Sequence, residues 1–401
     1  MKVSSYIKRI MFPVYNCIFP RYKASKIKYA KKIFQVTGQH TFFGYYDISP
    51  FDSTSTKILF SSTKTPLRTP KPDDILAVGY FEIDNPNKAY QIGETTTWCW
   101  QQGCRLQWFP TGDAILFNKI VGGKYGAIVQ DIKNKKIIKT FHKPIYSISR
   151  DGTNGLTLNF SRLQRLRPGY GYVNLPDNTI TEKSPASEGI GLVNLNTGES
   201  KTIITVKDVT KLNPSPSMTN AEHYFNHLLF RPDGKRFLFM HLWLEGTKRY
   251  SRIITSDLEG RNLNIVTKEN KASHYCWKNN QHILVYSSIQ SKYGYYLYKD
   301  MSGEVRQVGK RVLLEDGHPS FMNNSQHIIT DTYPNLGGQQ YLLKYSAENN
   351  SAEVLLKCFS PRNFAGETRC DLHPRINENN NNISIDCIIE GKRVISLLSL
   401  L

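Results

Sequence analysis

The chain has 401 residues, 39% of them hydrophobic, and a formal net charge of +19. That length supports a large core in a single domain. Seven cysteines, an odd number without framework spacing, exclude a disulfide-stapled scaffold and fit mostly buried thiols in a reducing, cytoplasmic compartment.

Residues 1–32 form a basic N-terminal arm with nine Lys or Arg and no acidic residue. Its apolar run Met11–Phe19 is broken by Pro13 and Asn16, ends at Pro20 and lacks a small-residue cleavage site. It is too short to span a bilayer and poorly shaped as a signal peptide. Two readings stand: a loosely packed tail, or an arm in peripheral contact with an anionic membrane, at the inner surface for a cytoplasmic protein. The segment from Lys32 to Val36 then reads as a lone strand.

From there a hairpin pattern recurs, clearest in Glu222-His223-Tyr224-Phe225-Asn226-His227-Leu228-Leu229-Phe230 followed by Arg231-Pro232-Asp233-Gly234 and an apolar run to His241. Aligning on Phe230 gives seven anchors, Ile48, Trp108, Ile148, Phe230, Trp277, Phe321 and Ile376, separated by 60, 40, 82, 47, 44 and 55 residues. Several short strands in a period of roughly 40–50 residues predict an all-β, seven-bladed β-propeller over residues 33–401. An antiparallel sandwich with similar hairpins is the alternative. After the last hairpin only two further strands remain, at Ile383–Ile389 and Lys392–Leu400. The fourth strand of the last blade is therefore expected from the N-terminus, near Ile33–Val36, which closes the ring.

In such a fold the start of each inner strand lies beside the central channel. The residues three places before the anchors are Tyr45, Arg105, Ile145, His227, His274, His318 and His373. A strand histidine is ordinarily a hydrogen-bonded structural residue, yet four at one blade position argue for a shared task.

Loops on the same face are expected at Thr63–Asp74, at a long insertion from Ser161 to Glu188 and at Leu242–Arg252. The insertion carries Arg165, Arg167, Tyr170 and Tyr172, and the last stretch Arg249 beside His241. Guanidinium forks match carboxylates and ring faces stack on sugars, a pairing that suits an acidic oligosaccharide or polysaccharide. Loops that merely cover the disk are the bland alternative. Nucleic acid is a poorer partner because the remaining charge is dispersed.

The repeat pattern, Glu222–His227 with Phe230-Arg231-Pro232, the downstream His241-Leu242-Trp243 with Arg252, and His373-Pro374 resemble the oligogalacturonate lyases. That family consists of seven-bladed propellers that cleave short uronate oligosaccharides by β-elimination with a divalent metal, usually manganese. The resemblance implies that His274 is the Brønsted base, Arg252 a substrate-binding arginine, and His318 and His373 metal ligands. Where the family has a further histidine and a glutamine, this chain has Asp371 and Thr368. Aspartate still binds Mn²⁺ or another divalent cation, whereas threonine is a weak ligand.

Elimination across a uronate C4–O bond needs negative charge stabilised on the carboxylate and a base for the C5 proton. A cation held by His318, Asp371 and His373, or Arg105 and Arg252 without one, meets the first need. His274 or His227 meets the second, with Tyr45 as proton donor. Hydrolysis is disfavoured because none of the seven inner-strand positions is acidic, and glycosidases use paired carboxyl groups. A propeller that binds a glycan or protein without chemistry, during surface-polysaccharide assembly, is the competing reading.

Overall fold

A computed structural model describes Tyr29 and residues 31–110, 112–323 and 326–400. The rest of the basic arm, including the run Met11–Phe19 and Cys17, lies outside the described residues. Within them no helix is long and apolar enough to cross a membrane.

The repeating apolar hairpins form seven four-stranded antiparallel sheets, the blades of a propeller. The second strand of blade four, Arg236–Glu245, shows why its sequence reads as one apolar run. Residues Arg236 to Trp243 are all buried, because both faces of an inner strand meet neighbouring blades. Outermost strands such as Asn85–Thr95 carry mostly exposed and half-exposed residues. Core side chains accordingly wedge between blades, as where Phe81 touches Phe60 of its own blade and Phe34 of the closing strand.

Closure follows the expected route. The strand Lys31–Phe34 pairs with the last strand, Lys392–Ser399, and completes blade seven beside Arg375–Ile376 and Asn382–Ile389. It begins one residue earlier than expected and stops at Phe34, after which Gln39 N–H donates to Val36 O in a turn.

Two sequence expectations are corrected. Six anchors pair with residues six or seven places ahead, as in Phe230 with Phe237 and Ile376 with Ile383. In blade one the equivalent bridge is Phe51 with Ile58, so Ile48 is not the anchor there. The first strand, His40–Phe42, precedes residues 43–50, which bow off the ladder. The second correction concerns Leu242–Arg252. These residues are not a long loop, because Leu242–Glu245 and Lys248–Arg252 continue two paired strands around Gly246 and Thr247.

The insertion of blade three is real and contains a short helix, Phe160–Leu166, capped by the Asn159 side chain. Its return passes close beneath the helix. A Cβ on Gly171 would lie 2.1 Å from Phe160 O, so the packing requires glycine.

Candidate active site at the propeller axis

Local backbone irregularity delivers the axial side chains. In blade four the ladder shifts between Asn226 and Leu229, and in blade five between Ala272 and Tyr275. Such bulges re-aim a side chain that the regular pleat would direct elsewhere. Arg105, His227 and His373 hold one blade position and all have left-handed φ, of 57°, 53° and 44°. For residues with a Cβ this conformation costs of order 1–3 kcal/mol and gathers at functional sites. Tyr45 arrives differently, on the 43–50 excursion. There the Phe43 and Gly44 N–H groups donate to the Asp386 carboxylate of blade seven at 3.1 and 3.2 Å.

The outcome is a close-packed cluster of rings around the axis. His274 and His318 lie 4.1 Å apart by ring centroids, and His318 and His373 4.3 Å. Tyr45 stacks on His227 at 4.5 Å and touches His373 at 4.8 Å. All four histidines are at most 4% exposed.

Two carboxylates orient two of these imidazoles. His318 Nδ1 lies 2.9 and 3.0 Å from the oxygens of Asp331, which also accepts the backbone N–H groups of His318 and His373. His274 Nδ1 lies 3.0 Å from Asp316 Oδ1. With Nδ1 donating, each ring turns Nε2 inward as an acceptor or ligand atom.

His318 Nε2 and His373 Nε2 are buried without a hydrogen-bond partner. One ligand atom from each of His318, Asp371 and His373 lies within 4.8 Å of the others. The Asp371 carboxylate is also gripped by Arg369 at 2.7–2.8 Å. Two convergent imidazole nitrogens and a carboxylate form a donor set that suits a divalent cation. Thr368 is not part of it, because its hydroxyl donates to Ala365 O.

Burial pulls the His318 imidazole down, but Asp331 overrides this and leaves it raised. For His373, burial and then the neighbouring cationic groups act together and hold the ring well below its ordinary value. Burial would raise Asp371, yet Arg369 wins and keeps it low. His274 and His227 are lowered, chiefly by burial.

From the insertion, Arg167 lies with its guanidinium 4.0 Å over the Tyr170 ring. Tyr170 in turn meets Tyr45 and His227 edge-on at 6.2 and 5.8 Å. Every other described arginine that is withdrawn from solvent has a hydrogen bond or ion pair; Arg167 has none through its side chain. A half-buried, unpaired cation beside an aromatic wall is equipped for an anionic ligand.

The cluster therefore gathers Tyr45, His227, His274, His318, Asp371 and His373, with Tyr170 and Arg167 beside it. Six expected binding residues lie elsewhere, for physical reasons. Arg105 is locked to Asp47 at 2.9 Å and to Tyr146 O. Arg165 ties the insertion helix to Asp177 and Glu222. The Tyr172 ring packs on Phe160 at 4.3 Å and its hydroxyl accepts from Asn118. His241 is fully buried between His223 and Arg252. Arg252, for which the resemblance implies a substrate role, donates to His241, Asn213 O and Val209 O. Arg249, although exposed, donates to Leu166 O and braces the hairpin against the helix end.

Asp316, Tyr333 and Arg369 were not expected at the site. Asp331 alone carried a signal, a buried acid ending the apolar strand His327–Asp331. Asp316 and Arg369 come from connections between blades, where no periodicity marks position.

No protein-family model matches the chain, and no curated protein sequence does. Solved structures do match. An oligogalacturonate lyase from Vibrio parahaemolyticus aligns at TM-score 0.63 and 13% identity, covering 95% of this chain and 99% of its own. An oligogalacturonate lyase in complex with manganese aligns at TM-score 0.64 and 14% identity, over 94% and 98%. The propeller domain of the trilobed protease from Pyrococcus furiosus aligns at TM-score 0.51 and 10% identity, over 92% and 95%. The shared property is the propeller fold.

Proposed function

We propose that the protein binds an acidic, uronate-containing oligosaccharide at the axial cluster and cleaves it by β-elimination with a divalent cation, manganese being the first candidate. One observation carries this reading: His318 and His373 each bury an Nε2 without a partner, and one ligand atom of each ring lies within 4.8 Å of the other and of an Asp371 oxygen. Buried polar atoms are nearly always paired, so two orphans on touching rings invite a ligand. The likeness in fold to a lyase complexed with manganese supports the same reading.

His318, His373 and Asp371 would hold the cation, and when bound it supplies electrophilic stabilisation of the substrate carboxylate. Arg167 offers a guanidinium fork to the same or a neighbouring carboxylate. His274, with Nδ1 held by Asp316, presents Nε2 to accept the C5 proton. Tyr45 and His227 hold each other, hydroxyl to Nε2 at 3.2 Å, and wall the sugar site.

A second reading, binding without cleavage, is favoured by one specific contact. Arg369 engages both oxygens of Asp371 and competes with a cation for that carboxylate. Metal uptake after dialysis against Mn²⁺, paired with ultraviolet absorbance from unsaturated uronate, separates the two. The wild type is expected to retain manganese and Asp331→Asn to bind it about 10- to 100-fold more weakly; His373→Ala loses more than that. Full metal occupancy in His373→Ala would overturn the ligand set. Uptake without unsaturated product from any uronate oligosaccharide would leave the binding module.

A further inference from the structure

His274 and His318 are both buttressed at Nδ1 by a carboxylate, but their Nε2 atoms face different groups. That of His318 is partnerless beside Asp371 and His373, whereas that of His274 lies 3.5 Å from the hydroxyl of Tyr333. Tyr333 sits between the blade-six strands His327–Asp331 and Gln339–Ser346, half-buried, with the Arg369 guanidinium 5.1 Å over its ring. Its ring also edges His318 at 5.7 Å, so the phenol lies at the cluster and beside the metal-ligand set. Tyr45, by contrast, is 2% exposed and turns its hydroxyl to His227.

We propose that Tyr333, rather than Tyr45, donates the proton to the leaving oxygen, and that His274 and Tyr333 form a closed proton-transfer pair positioned by Asp316. The assignment rests on the elimination reading above. His274 Nε2 takes the C5 proton, and the electrons of the C5–H bond form the C4–C5 double bond. The C4–O bond breaks with its electron pair, and the departing oxygen takes the hydroxyl proton of Tyr333. The resulting phenolate recovers a proton from His274 Nε2 across their shared contact. Both groups are restored, and the net change is a proton moved from C5 to the leaving oxygen.

Nδ1 donation to Asp316 makes Nε2 the acceptor, which the scheme requires. A contact of 3.5 Å is loose for a hydrogen bond, as ligand-free catalytic contacts often are. Asp316 touches neither sugar nor cation in this scheme and is a positioning residue.

The test compares two substrates in the manganese-loaded protein. One is a uronate disaccharide, whose leaving alkoxide needs a proton. The other is a methyl uronoside bearing 4-nitrophenoxy at C4, whose leaving phenolate does not. Tyr333→Phe is expected to lower kcat on the disaccharide by about 100-fold or more while KM and nitrophenoxide release stay within about threefold of wild type. Asp316→Asn is expected to slow both substrates alike, because the base is needed for each. Circular dichroism melts and manganese uptake report folding, and Tyr333→Leu replaces the phenylalanine variant if that one does not fold. Full disaccharide turnover in the Tyr333 variant, or equal losses on both substrates, would overturn the pair alone. A wild type that takes up manganese but turns over neither substrate overturns the elimination reading and the pair with it.

Discussion

Arg167 and Arg252 show how differently one residue type is used within this chain. The guanidinium of Arg252 meets three acceptors and is 2% exposed, while that of Arg167 meets none and lies over a tyrosine face. Removing Arg252 leaves Asn213 O, Val209 O and His241 Nδ1 short of a donor. Arg252→Met is therefore expected to cost about 2–4 kcal/mol in urea unfolding with little change in ligand affinity. Arg167→Met is expected to do the reverse. Stability changes by less than about 1 kcal/mol, because only the contact with the Tyr170 ring and no hydrogen bond or ion pair is lost, and affinity for uronate oligosaccharides falls about 10- to 100-fold by calorimetry. Unchanged affinity would remove Arg167 from the site.

Individual strands and connections differ in how openly the sequence announces them. Inner strands were legible because an apolar run bounded by Pro, Asn, Asp or Gly has few other meanings, and the closing strand because the last blade lacked a fourth. The register of blade one was not legible. Tyr45-Tyr46-Asp47-Ile48-Ser49-Pro50 imitates an anchor hairpin, yet pairing depends on Asp386 drawing Phe43 and Gly44 toward blade seven. Tyr45 was thus placed at the axis by a wrong register and reaches it by a contact between residues more than three hundred places apart. The helix Phe160–Leu166 was hidden too, since Arg162, Arg165 and Arg167 look like a solvated basic loop until the partners of the first two are known. The four histidines were legible because blade position repeats; the Asp316, Asp331 and Arg369 that orient the site sit where nothing repeats. The closing strand gives a direct test at this scale. Phe34 is fully buried against Phe81, and Phe34→Ala is expected to cost about 3–5 kcal/mol by urea denaturation. A cost under 1 kcal/mol would mean that the seam contributes little to closure.

Taken whole, the molecule buries many neutral imidazoles, and this sets its response to acid. Burial, followed by neighbouring positive charge at His40, holds His40 and His223 at about 4 from an ordinary 6.5. His227, His241 and His373 are also held well below the ordinary value, again first by burial. Between pH 6.5 and 4 the unfolded chain binds more protons at these positions, so folding stability falls as pH falls. His318, raised by Asp331 against its burial, contributes in the opposite sense, its stabilisation being lost as pH rises. The lowered rings, His274 among them, outnumber the raised one. The metal-free protein should melt at steadily lower temperature from pH 7 to 4.5, and His223→Gln should flatten that slope; a flat profile in the wild type would contradict the burial of neutral rings.

Blade seven is built from both ends of the described chain, and it supplies Asp371 and His373. During synthesis on the ribosome these two residues emerge after six sheets can already have paired. The blade carrying them cannot be completed until Lys392–Ser399 meets Lys31–Phe34. A nascent chain therefore cannot bring His318, Asp371 and His373 together in a finished ring until Lys392–Ser399 has been made.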